Sequence, residues 1–229
     1  ARGFLESVYQ PLMITKTSTR SVVHRAGHMD YLGVKRFNVS GELVGEHRFV
    51  GLFSSAAYNR SPRAIPLLRR KVMVTLERAG LSPVSHDGKA LISILETFPR
   101  DELFQIPEDE LAEFSFGILH LQERPRIKLF FRREQFGRFV SCLVFVPREV
   151  HTTKLRKRFE MILEEAFGGT VSSQATEIGG SPLARNYIVI ALTDNARPLP
   201  VLADVEDRLV QAARTWDDEL HDEMIGQMG

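Results

Sequence analysis

The sequence predicts an α+β protein in three parts, and the spacing of its apolar residues carries this prediction. Apolar-rich runs and one alternating run indicate strands in the first part, apolar residues recur every three or four positions in the middle, and strands and helices follow one another towards the end. Prolines and glycines mark each change. The three parts are an antiparallel sheet over residues 1–57, a helical segment over 58–124, and a compact β-β-α-β-β-α module over 125–229.

The first part is predicted to be β structure. Strands are predicted over residues 21–25, 29–37 and 42–53. An Asn-Val-Ser-Gly turn separates the last two strands, as is typical of a hairpin. Gly45 and Gly51 lie inside the third strand, where glycine usually marks a bulge or a close backbone approach. We therefore expect a curved sheet.

The middle part is predicted to be helical. Ser61 is the expected N-cap of a first helix, with Pro62 at its first position, and apolar residues recur at helical spacing until Gly80 stops the helix. A second helix is predicted over residues 86–98. A third is predicted over 107–124, and its acidic first turn complements the helix dipole.

The last part is predicted to be a β-β-α-β-β-α unit. This is the split βαβ arrangement of ferredoxin-like folds in a permuted order. Its four strands are predicted over residues 127–131, 139–146, 171–177 and 187–193. Its helices are predicted over 152–167, where two glycines follow, and from 201 onward.

The composition excludes several functional classes. Thirty Lys and Arg residues against 29 Asp and Glu leave a formal charge of +1, so no global field attracts nucleic acid or anionic lipid. The single cysteine, Cys142, excludes an internal disulfide and is typical of a reducing, cytoplasmic location. No apolar run reaches membrane-spanning length, and the start has no signal-peptide pattern. An opening at Ala1 without methionine suggests an excised fragment or a processed N-terminus.

A metal site is not expected. Of the seven histidines only His24 and His28 are close in sequence. They lie in a predicted β or turn region, where a spacing of four residues does not place two side chains on one face. We expect His28 to be solvated near a turn.

A catalytic nucleophile or bound nucleotide is not expected either. Cys142 lies inside a predicted central strand, which favours an inert buried thiol over a reactive thiolate. The run Ser85-His86-Asp87 contains the residue types of a catalytic triad, but adjacent residues cannot face one another, and a helix N-cap explains them. Neither GxGxxG nor GxxxxGK[ST] occurs, so no cofactor is expected in this chain. A hydrolase using Cys142 stays open only as a third hypothesis.

An arginine-rich hairpin is the remaining candidate for a functional site. Between its strands and just before them it carries Arg124, Arg126, Arg132, Arg133 and Arg138. With nearby aromatic residues it could bind RNA, could contact another protein surface, or could be a pair of solvated strand ends. Phe130, Phe139 and Phe145 also fit core positions of a strand buried on both faces. The residues alone leave these three interpretations open.

Several long blocks of the sequence resemble the bacterial large NAD-dependent glutamate dehydrogenases. They include SVVHRAGHMDYLGVKRF, SHDGKALISILETFPRDELFQI and GILHLQERPRIKLFFRREQFGRFVSCLVFVPRE. The resemblance is close over residues 21–169 and looser beyond them. In that family these blocks lie in the long N-terminal region, before the catalytic domain. The resemblance therefore implies that the glutamate- and nicotinamide-binding elements lie elsewhere in a much longer chain.

The resemblance also implies identities for the parts. Residues 37–45 resemble the closing hairpin of a PAS domain, so residues 1–57 are expected to be the end of a PAS-like sheet. Residues 125–229 resemble an ACT-like module. A non-catalytic regulatory or assembly role follows, in an enzyme that converts L-glutamate and NAD to 2-oxoglutarate and ammonium.

The resemblance further implies the partners of this chain. Other domains of the same polypeptide are expected, together with homo-oligomerisation and an amino-acid effector, and no membrane. NAD is expected in the parent enzyme and no cofactor in this fragment. The arginine hairpin is then assigned to interdomain or partner contacts, and a nucleic-acid-binding adaptor is the alternative.

Overall fold

A computed structural model describes residues 11–23 and 27–226, without the side chains of 215–226. The chain divides into two compact units, Ala1–Phe116 and Gly117–Gly229. Each unit is described by itself below. The domain boundaries placed after residues 57 and 124 stay predictions.

The first unit begins with a three-stranded antiparallel sheet in the order β1-β2-β3. Its strands are β1 (Leu12–Ser21), β2 (Gly27–Phe37) and β3 (Leu43–Gly51). The strand predicted over 21–25 was wrong, because β1 ends at Ser21 and the side chains of Val22 and Val23 are exposed. Residues 24–26, including His24, lie outside the described residues.

Of the two glycines in the third strand, Gly45 lies at a bulge. The register between β2 and β3 shifts after Arg36, opposite Gly45. Gly51 instead pairs regularly with Asp30, and nothing lies within 4 Å of a Cβ atom added to it, so neither a bulge nor a close backbone approach occurs there. His28 lies in β2, half-buried, with its Nδ1 atom 2.9 Å from the carbonyl oxygen of Thr17. The expectation of a solvated His28 was therefore wrong as well.

The rest of the first unit is helical, and its last helix continues into the second unit. The helices are α1 (Ser55–Asn59), α2 (Pro66–Ala79), α3 (His86–Thr97), α4 (Arg100–Gln105) and α5 (Glu108–Glu123). Ser61 caps a short 3-10 turn over Pro62–Ala64 rather than a long helix, and α2 begins after it with Pro66 at its first position. Gly80 ends α2 in a left-handed conformation, as predicted.

The short helix α4 was not predicted from the sequence, and a buried lysine stabilises its end. The Nζ atom of Lys71 on α2 donates to the carbonyl oxygens of Leu103, Phe104 and Ile106 at 2.8, 3.0 and 2.6 Å. These carbonyls lie in the last turn of α4 and just after it, where helical partners are lacking. The lysine supplies those partners and places its charge at the negative end of the helix dipole.

An ion-pair network connects the sheet to the helices of the first unit. The Nζ atom of Lys16 lies 2.6 Å from Asp30 Oδ1 and 2.9 Å from Asp101 Oδ1. The hydroxyl of Tyr58 donates to Asp101 at 2.6 Å, and the backbone N–H of Phe53 donates to Asp30 at 2.9 Å. The network therefore joins β1 and β2 to α1 and α4.

The second unit has the predicted β-β-α-β-β-α order. Its elements are β4 (Lys128–Arg133), β5 (Phe139–Pro147), α6 (Thr153–Phe167), β6 (Gly169–Glu177), β7 (Leu183–Leu192) and α7 (Leu202–Gly226). The strands form one antiparallel sheet in the order β4-β5-β7-β6. This is the split βαβ arrangement in the permuted order, and the predicted α+β fold class is confirmed.

The core of the second unit explains why β5 is almost wholly apolar. Phe139 through Val146 are all buried, so β5 is covered on both faces. On one face it packs with α6 and α7. The other face of the sheet carries Phe130 of β4 together with Phe139 and Phe145 of β5. These side chains are 8, 9 and 6% exposed, so their predicted core positions are confirmed.

Gly169 lies at a close approach between the strands β6 and β7, and a substitution there tests this packing. A Cβ atom there would lie 2.3 Å from the carbonyl oxygen of Ala191 and 2.7 Å from Ile190 Cγ2. Because the nearest of these atoms belongs to the backbone of β7, Gly169→Ala is expected to lower the free energy of unfolding of this unit by about 2 kcal/mol. Thermal unfolding followed by circular dichroism measures the effect.

Gly180→Ala is the matched control, because nothing lies within 4 Å of the added atom. It is expected to leave the midpoint of thermal unfolding unchanged. Equal midpoints for both variants would show that β6 and β7 do not approach as closely as described.

Candidate functional site

The structure disperses the five arginines that the sequence singled out. Arg124 and Arg126 are exposed ahead of β4. Arg132 is buried, and Arg133 is half-buried and donates to the carbonyl oxygen of Arg197. Arg138 is half-buried and paired within the hairpin. Their contact with partners stays a prediction, and only the first two are exposed in this unit.

Arg138 has a structural role at the tip of the hairpin. Its guanidinium donates to the buried carboxylate of Glu134 at 2.7 Å and lies 5.2 Å from the Phe136 ring centre and 5.6 Å from that of Phe139. Glu134 also accepts from the backbone N–H of Phe136 at 3.0 Å. The tight turn is therefore stabilised from within. Because Phe139 is buried, its ring is not available to stack on a base.

The other residues considered for chemistry have structural roles in the described part of the chain. Cys142 is fully buried among apolar residues of the core, as predicted, where a thiolate is disfavoured. Ser85 is an N-cap whose Oγ atom accepts from the N–H of Gly88 at 3.1 Å, also as predicted. Among the described residues there is no cluster of three side chains suited to a metal ion.

A buried polar cluster that the sequence reasoning missed lies at Asn186. This residue is completely buried in β7, in a core-facing row with Ala184, Ile188 and Ile190. Its Oδ1 atom accepts a hydrogen bond from Thr176 Oγ1 at 2.9 Å. The predicted strand began at residue 187 and left this residue out. An amide in an otherwise apolar alternating row is the signal that could have revealed it.

His151 completes the cluster from the loop before α6. Its Nε2 atom lies 3.1 Å from Asn186 Oδ1. Because an amide oxygen only accepts, this imidazole nitrogen carries the proton. The next residue, Thr152, caps α6 by accepting from the N–H of Leu155 at 3.1 Å. The cluster therefore adjoins the positive end of a helix dipole.

The amide nitrogen of Asn186 sets the chemistry of this cluster. Within the described residues, buried Nδ2 has no hydrogen-bond partner. A buried donor without an acceptor costs about 1–3 kcal/mol, so such a group is expected to have a role. Its complement is an oxygen that accepts hydrogen bonds, and the nearby helix N-terminus favours a negatively charged one.

The sheet order and the two helices on one face agree with a module of the ACT type, a regulatory class of domain. Residues 128–217 match the family model described as glutamate dehydrogenase, ACT2 domain. Residues 65–124 match the one described as glutamate dehydrogenase, helical motif 1. The chain belongs to the NAD-specific glutamate dehydrogenase family, as its sequence blocks indicated.

Relatives from three bacteria support this assignment. The chain is 41% identical over 223 residues (96% of its length) to the NAD-specific glutamate dehydrogenase of Halomonas elongata. It is 35% identical over 218 residues to that of Pseudomonas aeruginosa and 36% identical over 208 residues to that of Mycobacterium tuberculosis, which is 95% and 86% of this chain. It spans only 14, 14 and 13% of the lengths of these three relatives.

No helix in the described part of the chain is long and apolar enough to cross a membrane.

Proposed function

We propose that this chain is a non-catalytic regulatory and assembly segment of an NAD-specific glutamate dehydrogenase. The complete polypeptide would oxidise L-glutamate with NAD to 2-oxoglutarate and ammonium in the cytoplasm. The match to only about one-seventh of each relative supports this division of labour, because most of each relative lies outside the matched part. Glutamate and NAD would bind to those other domains, and this chain would contact them and further subunits.

We infer that the regulatory part of this role is amino-acid binding at the Asn186 cluster. The observation that carries the inference is the buried Nδ2 donor, which has no hydrogen-bond partner in the part of the chain that the structure describes. The α-carboxylate of an amino acid would accept from it, near the N-terminus of α6. Thr176 and His151 hold the amide in place from two other segments, so the donor is pre-oriented.

Isothermal titration of the chain with each of the common amino acids tests this function. At least one of them is expected to bind, and Asn186→Asp is expected to weaken that binding at least tenfold. The aspartate keeps an oxygen that accepts from Thr176 and His151, but it replaces the Nδ2 donor with a negative charge that repels a carboxylate. The variant therefore tests the contribution of the Nδ2 donor to binding while it keeps the hydrogen bonds from Thr176 and His151.

Asn195→Asp is the matched control, since this residue lies exposed in the loop after β7. It introduces the same charge and is expected to leave binding unchanged. An equal loss of affinity in both variants would assign the effect to net charge. The absence of heat with every amino acid would reject the sensing role and leave assembly as the function of the segment.

A further inference from the structure

A groove of about 600 Å³ lies on the helical part of the first unit, between α2, α3 and the 3-10 turn. Its apolar lining includes Met73, Leu76, Pro83 and Ile92. Met73 is 53% exposed, and Val84, the residue after Pro83, is 77% exposed. Large apolar side chains that are exposed beside an apolar groove are typical of a surface that binds another segment of protein.

The groove is also positively charged. Arg63 and Arg69 line it, and in the part of the chain that the structure describes neither side chain has an ion pair or a hydrogen bond. Glu96 adjoins the same end, since it accepts from the hydroxyl of the lining residue Ser61 at 3.3 Å. One carboxylate beside two arginines leaves a net positive rim. The complementary partner is therefore apolar on one side and acidic beside it.

The chain itself contains a segment of that chemistry. Residues 215–228 read TWDDELHDEMIGQM, with no lysine or arginine. Trp216, Leu220 and Met224 follow one another at intervals of four residues, the spacing at which a helix aligns side chains. The acidic residues between them are Asp217, Asp218, Glu219, Asp222 and Glu223. An acidic segment with this apolar spacing matches an apolar groove with a basic rim.

We propose that the groove binds the segment 215–228 of a second copy of the chain. The inference rests on the assembly role proposed above and names the surfaces that perform it. Apolar side chains of the segment fill the groove beside Met73, and its carboxylates face Arg63 and Arg69. Groove and segment are different surfaces, so the contact is heterologous and joins copies head to tail or closes them into a ring.

Sedimentation equilibrium of the intact chain, with tryptophan emission as a second readout, tests the proposal. The mass is expected to rise above 26.0 kDa as concentration increases, and the emission of Trp216, the only tryptophan, is expected to shift to shorter wavelength in parallel. Arg63→Glu combined with Arg69→Glu is expected to weaken self-association at least tenfold. Both residues are exposed, so circular dichroism is expected to show an unchanged fold.

Lys157→Glu combined with Arg158→Glu is the matched control, because these exposed residues of α6 give the same change in net charge. It is expected to leave self-association unchanged. Replacing Asp217, Asp218 and Asp222 with lysine in the groove variant is expected to restore association. A monomer at every concentration, or equal weakening by the control, would overturn the proposal. Neither outcome bears on amino-acid binding at Asn186, which is measured separately.

Discussion

Lys71→Met is expected to lower the free energy of unfolding of the first unit by about 3 kcal/mol. The substitution keeps most of the apolar side chain and removes only the charged donor. The carbonyl oxygens of Leu103, Phe104 and Ile106 then lose the hydrogen bonds that they receive from Lys71. Each bond from a charged donor contributes about 1.5–3 kcal/mol, and relaxation of α4 recovers part of the total. Urea unfolding followed by circular dichroism measures the change.

Lys89→Met is the matched control for this effect. Lys89 is exposed on α3, and its amino group has no hydrogen bond or ion pair among the described residues. The same substitution there is expected to change stability by less than about 0.5 kcal/mol. If both variants unfolded at the same urea concentration, the role assigned to Lys71 would be wrong.

Lys16→Met is expected to lower the free energy of unfolding of the first unit by about 3 kcal/mol at neutral pH. The reason differs from that for Lys71→Met. Lys16→Met leaves the carboxylate of Asp30, whose side chain is only 5% exposed, without its cation. Burial opposes the charged form of Lys16, but attraction to Asp101 and hydrogen bonds to Asp30 and Asp101 outweigh it and raise the pKa of Lys16 above 10.5. The folded state therefore binds this proton more tightly than the unfolded state does.

The sign of the pH dependence follows from that raised pKa. The contribution of Lys16 is complete below about pH 10.5 and is lost as the pH rises through the folded-state pKa. The stability difference between wild type and Lys16→Met is thus expected to be constant from pH 7 to 9 and to shrink above about pH 10.5. Urea unfolding of both proteins across this range measures it. A difference that grew with pH would contradict the network.

Helix ends and the strand β5 could be predicted from the sequence, because each depends on residues that are close together in the chain. The N-caps Ser85 and Thr152 and the left-handed stops at Gly80 and Gly168 place helix ends as expected. The nearly continuous apolar run of β5 likewise indicated a strand that is buried on both faces. Each of these elements is determined by its own residues and their immediate neighbours.

The features that the sequence did not predict depend on contacts between residues that lie far apart in the chain. The strand β1 has the sequence LMITKTSTRS, which is too polar to indicate a strand by itself. Pairing with β2 stabilises it. The helix α4 is only six residues long, and Lys71, which is remote in sequence, completes its C-terminal hydrogen bonds. At Asn186 the fold brings Thr176 and His151 to the side-chain oxygen and, among the described residues, no acceptor to the side-chain nitrogen. Neither spacing nor propensity encodes such contacts.

Hydrogen–deuterium exchange with and without the bound amino acid tests the central claim, that the ACT-type module senses an effector at the Asn186 cluster. We expect slower exchange in the loop before α6 and at the end of β6 around Thr176, and no change in α2. Protection confined to the first unit, or binding without protection around His151 and Thr176, would contradict the account.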